Sequence, residues 1–349
     1  MTEGHGNLFL EQERNRRRSF WLVTIFVLFF GWVGFGGDLA LCILTATAEP
    51  GAYRHVVPFI GVVATLVAGG IAWFAWEKGA DRVLWATGAW EVIEPATPEQ
   101  TQYVNVVEEM AIAAGQPRPR IWVVPDPDPN AFATGRDPQH AHIAVTEGLL
   151  ARLNREELQG VVAHEMAHIA NWDTRLMTLL AAMLGAIALM SDGMGRMTRG
   201  GVRVGGSGLR GEGKGKGNPL GLVLLVLWVF SLLIAPVVSR LLAMAVSRKR
   251  EFLADATGSQ FTRNPLALAS ALEKLETEPA PTRSITRGAA HLCIVDPAER
   301  TMSERGGFVG DVFASHPPMR ERVARLRGMG YEGPGSRVGS RVQGPESRL

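Results

Sequence analysis

Two long runs without a charged residue constrain this chain more than any other feature of its sequence. The first extends from Ser19 to Gly37 and the second from Val56 to Trp76. At a rise of about 1.5 Å per residue, a helix of either length crosses a hydrocarbon layer of about 30 Å. Since a lipid-embedded backbone must pair all its polar groups internally, we predict transmembrane helices over residues 19–41 and 56–76.

Basic residues are distributed unequally around these runs. Arg14 and the arginines at 16–18 precede the first run, within a charged N-terminal extension (residues 1–18). Lys78 and Arg82 follow the second run, whereas the connection between the runs carries only Arg54. Because basic loops favour the cytoplasmic side, the sequence predicts a multi-pass protein with its N-terminus and its main domain in the cytoplasm.

Residues 164–168 read His-Glu-Met-Ala-His and indicate metal chemistry. In a helix, His164 and His168 are one turn apart, so both imidazoles project from one face and can bind a single zinc ion. Glu165 then lies beside the metal, where it can accept a proton from a water molecule that the metal polarises. The alternative is a pair of surface histidines that happen to have helical spacing.

The surrounding segment, 77–175, has the pattern of a compact α/β unit. The predicted elements are a helix over 101–114, a strand over 120–124, an extended exposed loop over 125–129, a strand over 142–146 and then the zinc helix. Alternating prolines exclude a helix in that loop. Asn154 is a predicted N-cap, and Glu157 three residues later completes a capping box at the start of the zinc helix.

Two histidines leave a catalytic zinc site incomplete, because it needs a third protein ligand and one open position. One large class of enzymes with this pentapeptide uses a histidine six residues after the second, and Thr174 occupies that position here. The other common solution is a glutamate on a later helix, for which Glu251 is the best candidate. Asp255, one turn further, can accept a hydrogen bond from the distal nitrogen of a zinc histidine. The alternative for this pair is a solvated helix face.

The second half of the chain contains two more apolar segments, at 176–191 and 219–239. We expect this apolar hairpin to form two further transmembrane helices, and the alternative is that it packs on the domain or at the membrane surface. The intervening residues, 192–218, are rich in glycine and arginine and predict a flexible linker. Residues 240–328 return to a polar, helical pattern, and 329–349 have the composition of a disordered tail.

The charge and the cysteine content argue against a nucleic-acid-binding protein and against a protein built on disulfides or a cysteine-type zinc site. The formal net charge is +2, and the chain has no basic patch with interleaved aromatic residues, so we expect no nucleic-acid partner. The two cysteines, Cys42 and Cys293, are far apart in sequence and indicate neither a disulfide framework nor a cysteine-type zinc site.

Taken together, these motifs resemble the M48 family of membrane metallopeptidases, and most closely its bacterial heat-shock protease branch. Residues 164–173 and 247–255 resemble the two zinc motifs of the family. Residues 130–135 resemble the motif upstream of the zinc helix, and 315–318 the late histidine-proline motif. The N-terminal extension, the glycine-arginine linker and the C-terminal tail depart from the family pattern.

The resemblance implies a role for each matching residue. His164, His168 and Glu251 would bind one Zn²⁺ per chain, with Glu165 as the catalytic base and Asp255 as the carboxylate that supports a ligand.

The resemblance also implies how a substrate is held. The segment Asn130, Ala131, Phe132 and Ala133 would pair with the substrate backbone as an added strand. His316 would donate a hydrogen bond to the oxyanion, and the alternative is that it only caps a helix before Pro317.

Four other polar residues are expected to be structural. His140 and His142 lie near the ends of strands. Asn171 and Asp173 follow the zinc helix, and we expect them to terminate and brace it rather than to contact a substrate.

We therefore expect a mainly α integral membrane protein. An α+β, zincin-like (gluzincin) metalloprotease domain with a short sheet, formed by residues 77–175 and 240–328, would be attached to two to four transmembrane helices. As the resemblance implies, it would be a zinc endopeptidase of the bacterial cytoplasmic membrane that hydrolyses polypeptides, in particular misfolded membrane proteins, on the cytoplasmic side of the lipid bilayer. The sequence does not indicate an oligomeric state.

Two alternatives belong to other functional classes. A prenyl-peptide-type intramembrane endopeptidase would need a chamber among more spans than the four candidate segments supply. A non-catalytic membrane scaffold with a structural zinc site would not need the base Glu165.

Overall fold

The computed structural model describes residues 8–46, 51–183, 248–277, 292–295 and 317–331. Several predictions concern residues outside these ranges: the linker over 192–218, the apolar segment over 219–239, most of the tail, and His316.

Two long helices open the structure. Helix α1 spans Leu8–Thr45 and α2 spans Phe59–Ala86. Both contain a stretch long and apolar enough to cross a membrane, at Gln12–Ile43 and Phe59–Ala86. With 38 residues, α1 is about 57 Å long, so it exceeds the thickness of a bilayer. The arginine-rich part of the predicted extension is therefore the first turns of this helix rather than a separate segment.

A buried polar cluster joins α1 to the start of α2. Pro58 precedes α2 and has no side-chain oxygen to cap it, and the Asp38 carboxylate accepts hydrogen bonds from the backbone N–H groups of Ile60 and Gly61 instead. His55 Nε2 lies 2.7 Å from Asp38 Oδ1. The carboxylate on one helix thus caps the other, which satisfies the otherwise unpaired N–H groups of the first turn.

A four-stranded sheet follows α2. Its strands are β1 (Trp90–Glu91), β2 (Arg120–Val124), β3 (Ala131–Gly135) and β4 (Ala141–Thr146), in the order β1-β2-β4-β3. Only β2 and β4 are parallel. The predicted strands over 120–124 and 142–146 correspond to β2 and β4, and β3 forms one edge of the sheet.

Helix α3, Pro98–Ala114, packs on this sheet. The Thr97 side chain accepts a hydrogen bond from Gln100 N at its start, and Gly115 adopts a φ of 61° at its end. Buried Tyr103 donates a hydrogen bond to the carbonyl of Ile143 in β4. This bond ties the helix to the middle of the sheet.

The loop over residues 125–129 is exposed only at Pro125 and Pro127, so the predicted exposed loop is confirmed in part. Asp126 and Asp128 are buried, and Asp126 Oδ1 accepts a hydrogen bond from Asp128 N. The Asp126 carbonyl accepts another from Gly148 N. A Cβ at Gly148 would lie 2.0 Å from the Pro127 carbonyl oxygen, so the absence of a side chain there lets the loop fold inward.

Besides a helical stretch over residues 173–183, five further helices are present in the described residues: α4 (Glu147–Arg152), α5 (Arg155–Ala170), α6 (Arg248–Thr262), α7 (Pro265–Glu276) and α8 (Met319–Tyr331). Helix α5 is the centre of the domain and contacts α3, α6, α7 and the sheet. Its predicted capping box is present, with reciprocal hydrogen bonds between Asn154 and Glu157. Glu157 also binds Lys274 and Ser270 of α7, so the cap connects two helices.

After α5 the chain turns at Trp172 and is helical again over residues 173–183. This stretch contains the described part of the predicted apolar segment 176–191. Leu179 and Met183 are buried against Ala72 and Ala75 of α2. Helix α5 is therefore followed directly by a segment that packs on a helix long and apolar enough to cross a membrane.

Candidate metal centre

Helices α5 and α6 bring three candidate ligands together. His164 and His168 lie one turn apart on α5, and Glu251 lies in the first turn of α6. Their ligand atoms are all within 4.8 Å of one another.

The distances within this group suit a tetrahedral ion. The two Nε2 atoms of His164 and His168 are 3.2 Å apart. The Glu251 carboxylate oxygens lie 3.6 Å from His164 Nε2 and 3.7 Å from His168 Nε2. Bonds of about 2.0–2.2 Å at tetrahedral angles separate neighbouring ligands by about 3.3–3.6 Å. The three side chains therefore fit zinc with only small adjustments.

Carboxylates hold the other nitrogen of each imidazole. His164 Nδ1 lies 3.0 Å from Asp255 Oδ1, and His168 Nδ1 lies 3.0 Å from Asp173 Oδ2. An ionised carboxylate can only accept a hydrogen bond, so the proton resides on Nδ1 and the Nε2 lone pairs face the metal position. Asp255 lies beside the distal nitrogen of a candidate ligand histidine, as the sequence predicted. Asp173 does more than brace the helix, because it orients a candidate ligand.

The electrostatics of His164 reflect these partners. Burial alone lowers the pKa of His164, but the nearby carboxylates of Asp255 and Glu251 outweigh it and raise that pKa to about 9. The site thus favours positive charge at His164, whether from a proton or from a metal ion.

Arg322 of α8 was not predicted, although it is fully buried beside the site. Its Nε and Nη2 atoms donate to the two oxygens of Asp255 at 2.9 and 2.7 Å. Burial alone raises the pKa of Asp255, but Arg322 outweighs that effect and lowers it to about 2. Arg322 Nη1 also lies 3.6 Å from Glu251 Oε2. One arginine therefore neutralises part of the acidic charge around the metal position.

One sequence signal could have identified Arg322. It lies three residues after Met319 and four before Leu326, on the same side of the helix as its neighbour Val323. Val323 and Leu326 are buried, so this face is the core-facing one. An arginine on such a face needs a buried carboxylate partner.

Glu165 faces the same site from α5 and is buried. Burial raises the pKa of Glu165 above its ordinary value. A carboxylate with a raised pKa is a better proton acceptor at neutral pH than an ordinary glutamate.

The site contains a cavity of about 20 Å³, which is room for one water molecule. Glu165, the three candidate ligands, Ala133 and residues 292–294 contribute to its walls. The cavity is too small for a peptide in this conformation.

The outer edge of β3, where the sequence predicted substrate binding, is occupied by residues 292–295 of the same chain. Ile294 N donates to the Ala131 carbonyl at 2.9 Å, and Phe132 forms an antiparallel bridge with Cys293. Asn130 is buried and donates from Nδ2 to the Val295 carbonyl. Within β3, Ala133 lines the cavity.

The side chains expected to be structural are explained by local contacts. His140 is exposed and lies 2.7 Å from Asp137. His142 accepts a hydrogen bond from Trp122 Nε1, and burial lowers the pKa of His142 to about 4. Asn171 is the C-cap residue of α5, as predicted.

Comparison with known proteins gave concordant matches. The family model described as Peptidase family M48 matches residues 98–330. A protein named "Protease HtpX homolog" from Caldanaerobacter subterraneus is 44% identical over 258 residues, which is 74% of this chain and 80% of that protein. Proteins of the same name from Dictyoglomus turgidum and Streptococcus gordonii are 38% and 36% identical. They are matched over 91% and 92% of this chain, and over 93% and 100% of their own lengths.

Among solved structures, S. mikatae Ste24p is similar with a TM-score of 0.41 and 18% identity. The match covers 88% of this chain and 66% of that one.

Proposed function

Because the chain belongs to peptidase family M48 and is a membrane metalloprotease, we propose that it is a zinc-dependent endopeptidase whose metal ligands are His164, His168 and Glu251. The observation that carries this proposal is the group of two imidazole nitrogens and one carboxylate at 3.2–3.7 Å, with a buried glutamate beside them. A structural zinc site has four protein ligands and no need for such a base.

When bound, zinc lowers the pKa of a coordinated water molecule to about 7 and polarises a carbonyl group. The protein supplies the rest of the chemistry. Asp255 and Asp173 hold the two imidazoles in the tautomer that leaves Nε2 available, and Arg322 keeps Asp255 ionised.

Glu165 is the proposed general base. Its carboxylate takes a proton from the attacking water and then delivers it to the leaving amine. The raised pKa that burial gives Glu165 supports both steps, because a group that accepts the proton must also be able to release it. The proposed donor to the oxyanion, His316, lies outside the described residues.

We infer that the substrate backbone pairs with the outer edge of β3. Backbone groups of Ala131 and Ala133 point to the same side, since successive residues of a strand alternate. The Ala131 carbonyl accepts a hydrogen bond from Ile294 N, which is the bond that an added strand would make. Residues 292–295 must therefore leave this edge before a peptide reaches the cavity.

The distribution of basic residues supports the proposed location of the site. Basic residues cluster in the first turns of α1 and after the apolar part of α2, so both of these ends are assigned to the cytoplasm. The domain follows α2 directly. A site at the cytoplasmic face of a bacterial membrane suits misfolded membrane proteins as substrates.

The test uses the full-length protein purified in detergent and an unfolded polypeptide such as casein. Wild type should cleave it, a zinc chelator should abolish cleavage, and added zinc should restore it. Glu165→Gln should retain one zinc per chain but cleave at least about a hundredfold more slowly, because general-base catalysis contributes about 10²–10⁴-fold. Cleavage by Glu165→Gln at the wild-type rate would disprove the assignment of the base.

A further inference from the structure

Asn15 is a buried amide in an otherwise charged part of α1. Its neighbours Arg14 and Arg16 are exposed, whereas only 2% of Asn15 is accessible to solvent. Asn15 Nδ2 donates to Asp173 Oδ1 at 2.6 Å and to the Asn171 carbonyl at 3.0 Å. The helix that leads into the membrane thus contacts the end of the zinc helix.

We propose that Asn15 is a positioning residue of the metal centre, acting on His168 through Asp173. The inference rests on the proposed zinc site. Asp173 connects the two, because its Oδ1 accepts from Asn15 and its Oδ2 lies 3.0 Å from His168 Nδ1. The terminal torsion of an aspartate is broad, so one hydrogen bond leaves the carboxylate plane poorly defined. A second donor, on the other oxygen, fixes that plane and with it the direction of the imidazole.

A second contact of α1 acts on the same helix end. Gln12, three residues before Asn15, donates from Nε2 to the Ala170 carbonyl at 2.8 Å. The last carbonyls of a helix have no partner within it, so these two amides satisfy groups at the C-terminus of α5. Gln12 makes this contact without touching Asp173, which makes it a matched control for Asn15.

The turn between α5 and Asp173 also depends on α1. Trp172 adopts a φ of 63°, a conformation that tryptophan rarely takes. The Arg16 guanidinium lies 5.2 Å from the centre of its ring, and Arg175 lies 5.8 Å from it. Asp173 directly follows this turn, so α1 contacts the chain just before the aspartate as well as the aspartate itself, and of these α1 residues only Asn15 donates to its carboxylate.

The consequence is that zinc affinity depends on a residue of the first membrane helix. Loss of a partner that orients a zinc ligand weakens binding about 10–100-fold. Since Asn15 acts one step further from the metal, we expect Asn15→Ala to raise the zinc Kd about tenfold. Asn15→Leu keeps a side chain of similar volume but has no N–H group to donate to Asp173. It should raise the zinc Kd by the same factor, and it tests the proposal if Asn15→Ala does not fold.

The experiment measures the zinc Kd of full-length protein in detergent by competition with a chromophoric chelator. Absorption of the Co²⁺-substituted protein reports the ligand geometry independently of activity. Gln12→Ala and Arg17→Ala are the controls and should change the zinc Kd by less than about twofold. In an Asp173→Asn background, Asn15→Ala should have almost no further effect, because the two residues act in series.

Two results would overturn the inference. Equal losses of zinc affinity in Asn15→Leu and Gln12→Ala would mean that α1 only holds the helix end. Additive effects of Asn15→Ala and Asp173→Asn would mean that Asn15 does not act through Asp173. The proposed function fails separately, if wild type itself binds no zinc.

Discussion

Gly258 sets the distance between α6 and the zinc helix, so replacing it by alanine should weaken zinc binding. Glu251, Asp255 and Gly258 lie on one face of α6, at spacings of four and three residues. A Cβ on Gly258 would lie 3.0 Å from His164 N and 3.1 Å from His164 Cα. These are backbone atoms, which cannot rotate away as a side chain would.

The expected loss of zinc affinity in Gly258→Ala follows from these distances. Carbon atoms prefer separations of about 3.5–4.0 Å, so the two helices must move apart by about 0.5 Å at this point. Metal sites tolerate about 0.2 Å in ligand distance, and Glu251 would move with its helix. We expect the zinc Kd of Gly258→Ala to rise about 10–100-fold, as for loss of a ligand's support, which is about 1.4–2.8 kcal/mol.

The folding energetics of this variant contain two opposing terms. Overpacking costs about 1–3 kcal/mol, and the higher helix propensity of alanine returns up to about 1 kcal/mol. Thermal unfolding of the metal-free protein should therefore change little or fall modestly, while zinc affinity falls clearly. The difference between the two measurements is what identifies Gly258 as a residue that aligns the site.

Gly328→Ala is the matched control. Gly328 lies inside α8, and a Cβ there would have no atom within 4 Å. This variant should gain up to about 1 kcal/mol in stability and leave the zinc Kd unchanged. If Gly258→Ala bound zinc as tightly as wild type, the contact between α6 and α5 would not control the position of Glu251, and the reasoning would be refuted.

Two further variants test the buried charges. Arg322→Leu leaves Asp255 and Glu251 buried without their cation, so it should lose about 3–5 kcal/mol in thermal unfolding, and a loss below about 0.5 kcal/mol would be contrary to this account. For Glu157, burial alone raises the pKa, but hydrogen bonds from Lys274, Ser270 and the Asn154 backbone outweigh it and lower the pKa below the ordinary value of 4.5. The ionised form therefore stabilises the fold above about pH 4.5, and this contribution is lost as the pH falls through the lowered pKa. Glu157→Gln should accordingly be less stable than wild type by about 1–2 kcal/mol at pH 7, and this difference should shrink as the pH falls below 4.5 through the lowered pKa; a pH-independent difference would exclude this origin.

Local signals in the sequence are sufficient to predict the helix and the candidate ligands at the centre of the site. The Asn154 and Glu157 cap, the histidine spacing and the Glu251–Asp255 spacing each depend on residues within one or two helical turns. The structure brings these groups together as expected. Strand β2 is likewise predicted from its own five residues.

The supporting contacts could not be predicted in the same way, because they join distant parts of the chain. Asn15 and Asp173 are 158 residues apart, and Arg322 and Asp255 are 67 apart. A charged extension gives no local sign that one of its amides is buried. Similarly, the prolines at 125, 127 and 129 predict an exposed loop, and only the close approach of Gly148 shows why part of that loop is buried.

The most direct test of the zinc site is X-ray absorption at the zinc edge, measured on the full-length protein loaded with one equivalent of zinc. Cys293 lines the same cavity as the three predicted ligands, so the spectrum distinguishes two ligand sets. We predict that the zinc ion has two imidazole nitrogens as ligands and that its other ligands are all oxygen atoms, each at about 2.0–2.2 Å from the zinc. A sulfur neighbour at about 2.3 Å would contradict the predicted ligand set, because a sulfur atom of the cavity wall would then replace Glu251 or fill the position that a catalytic site leaves open.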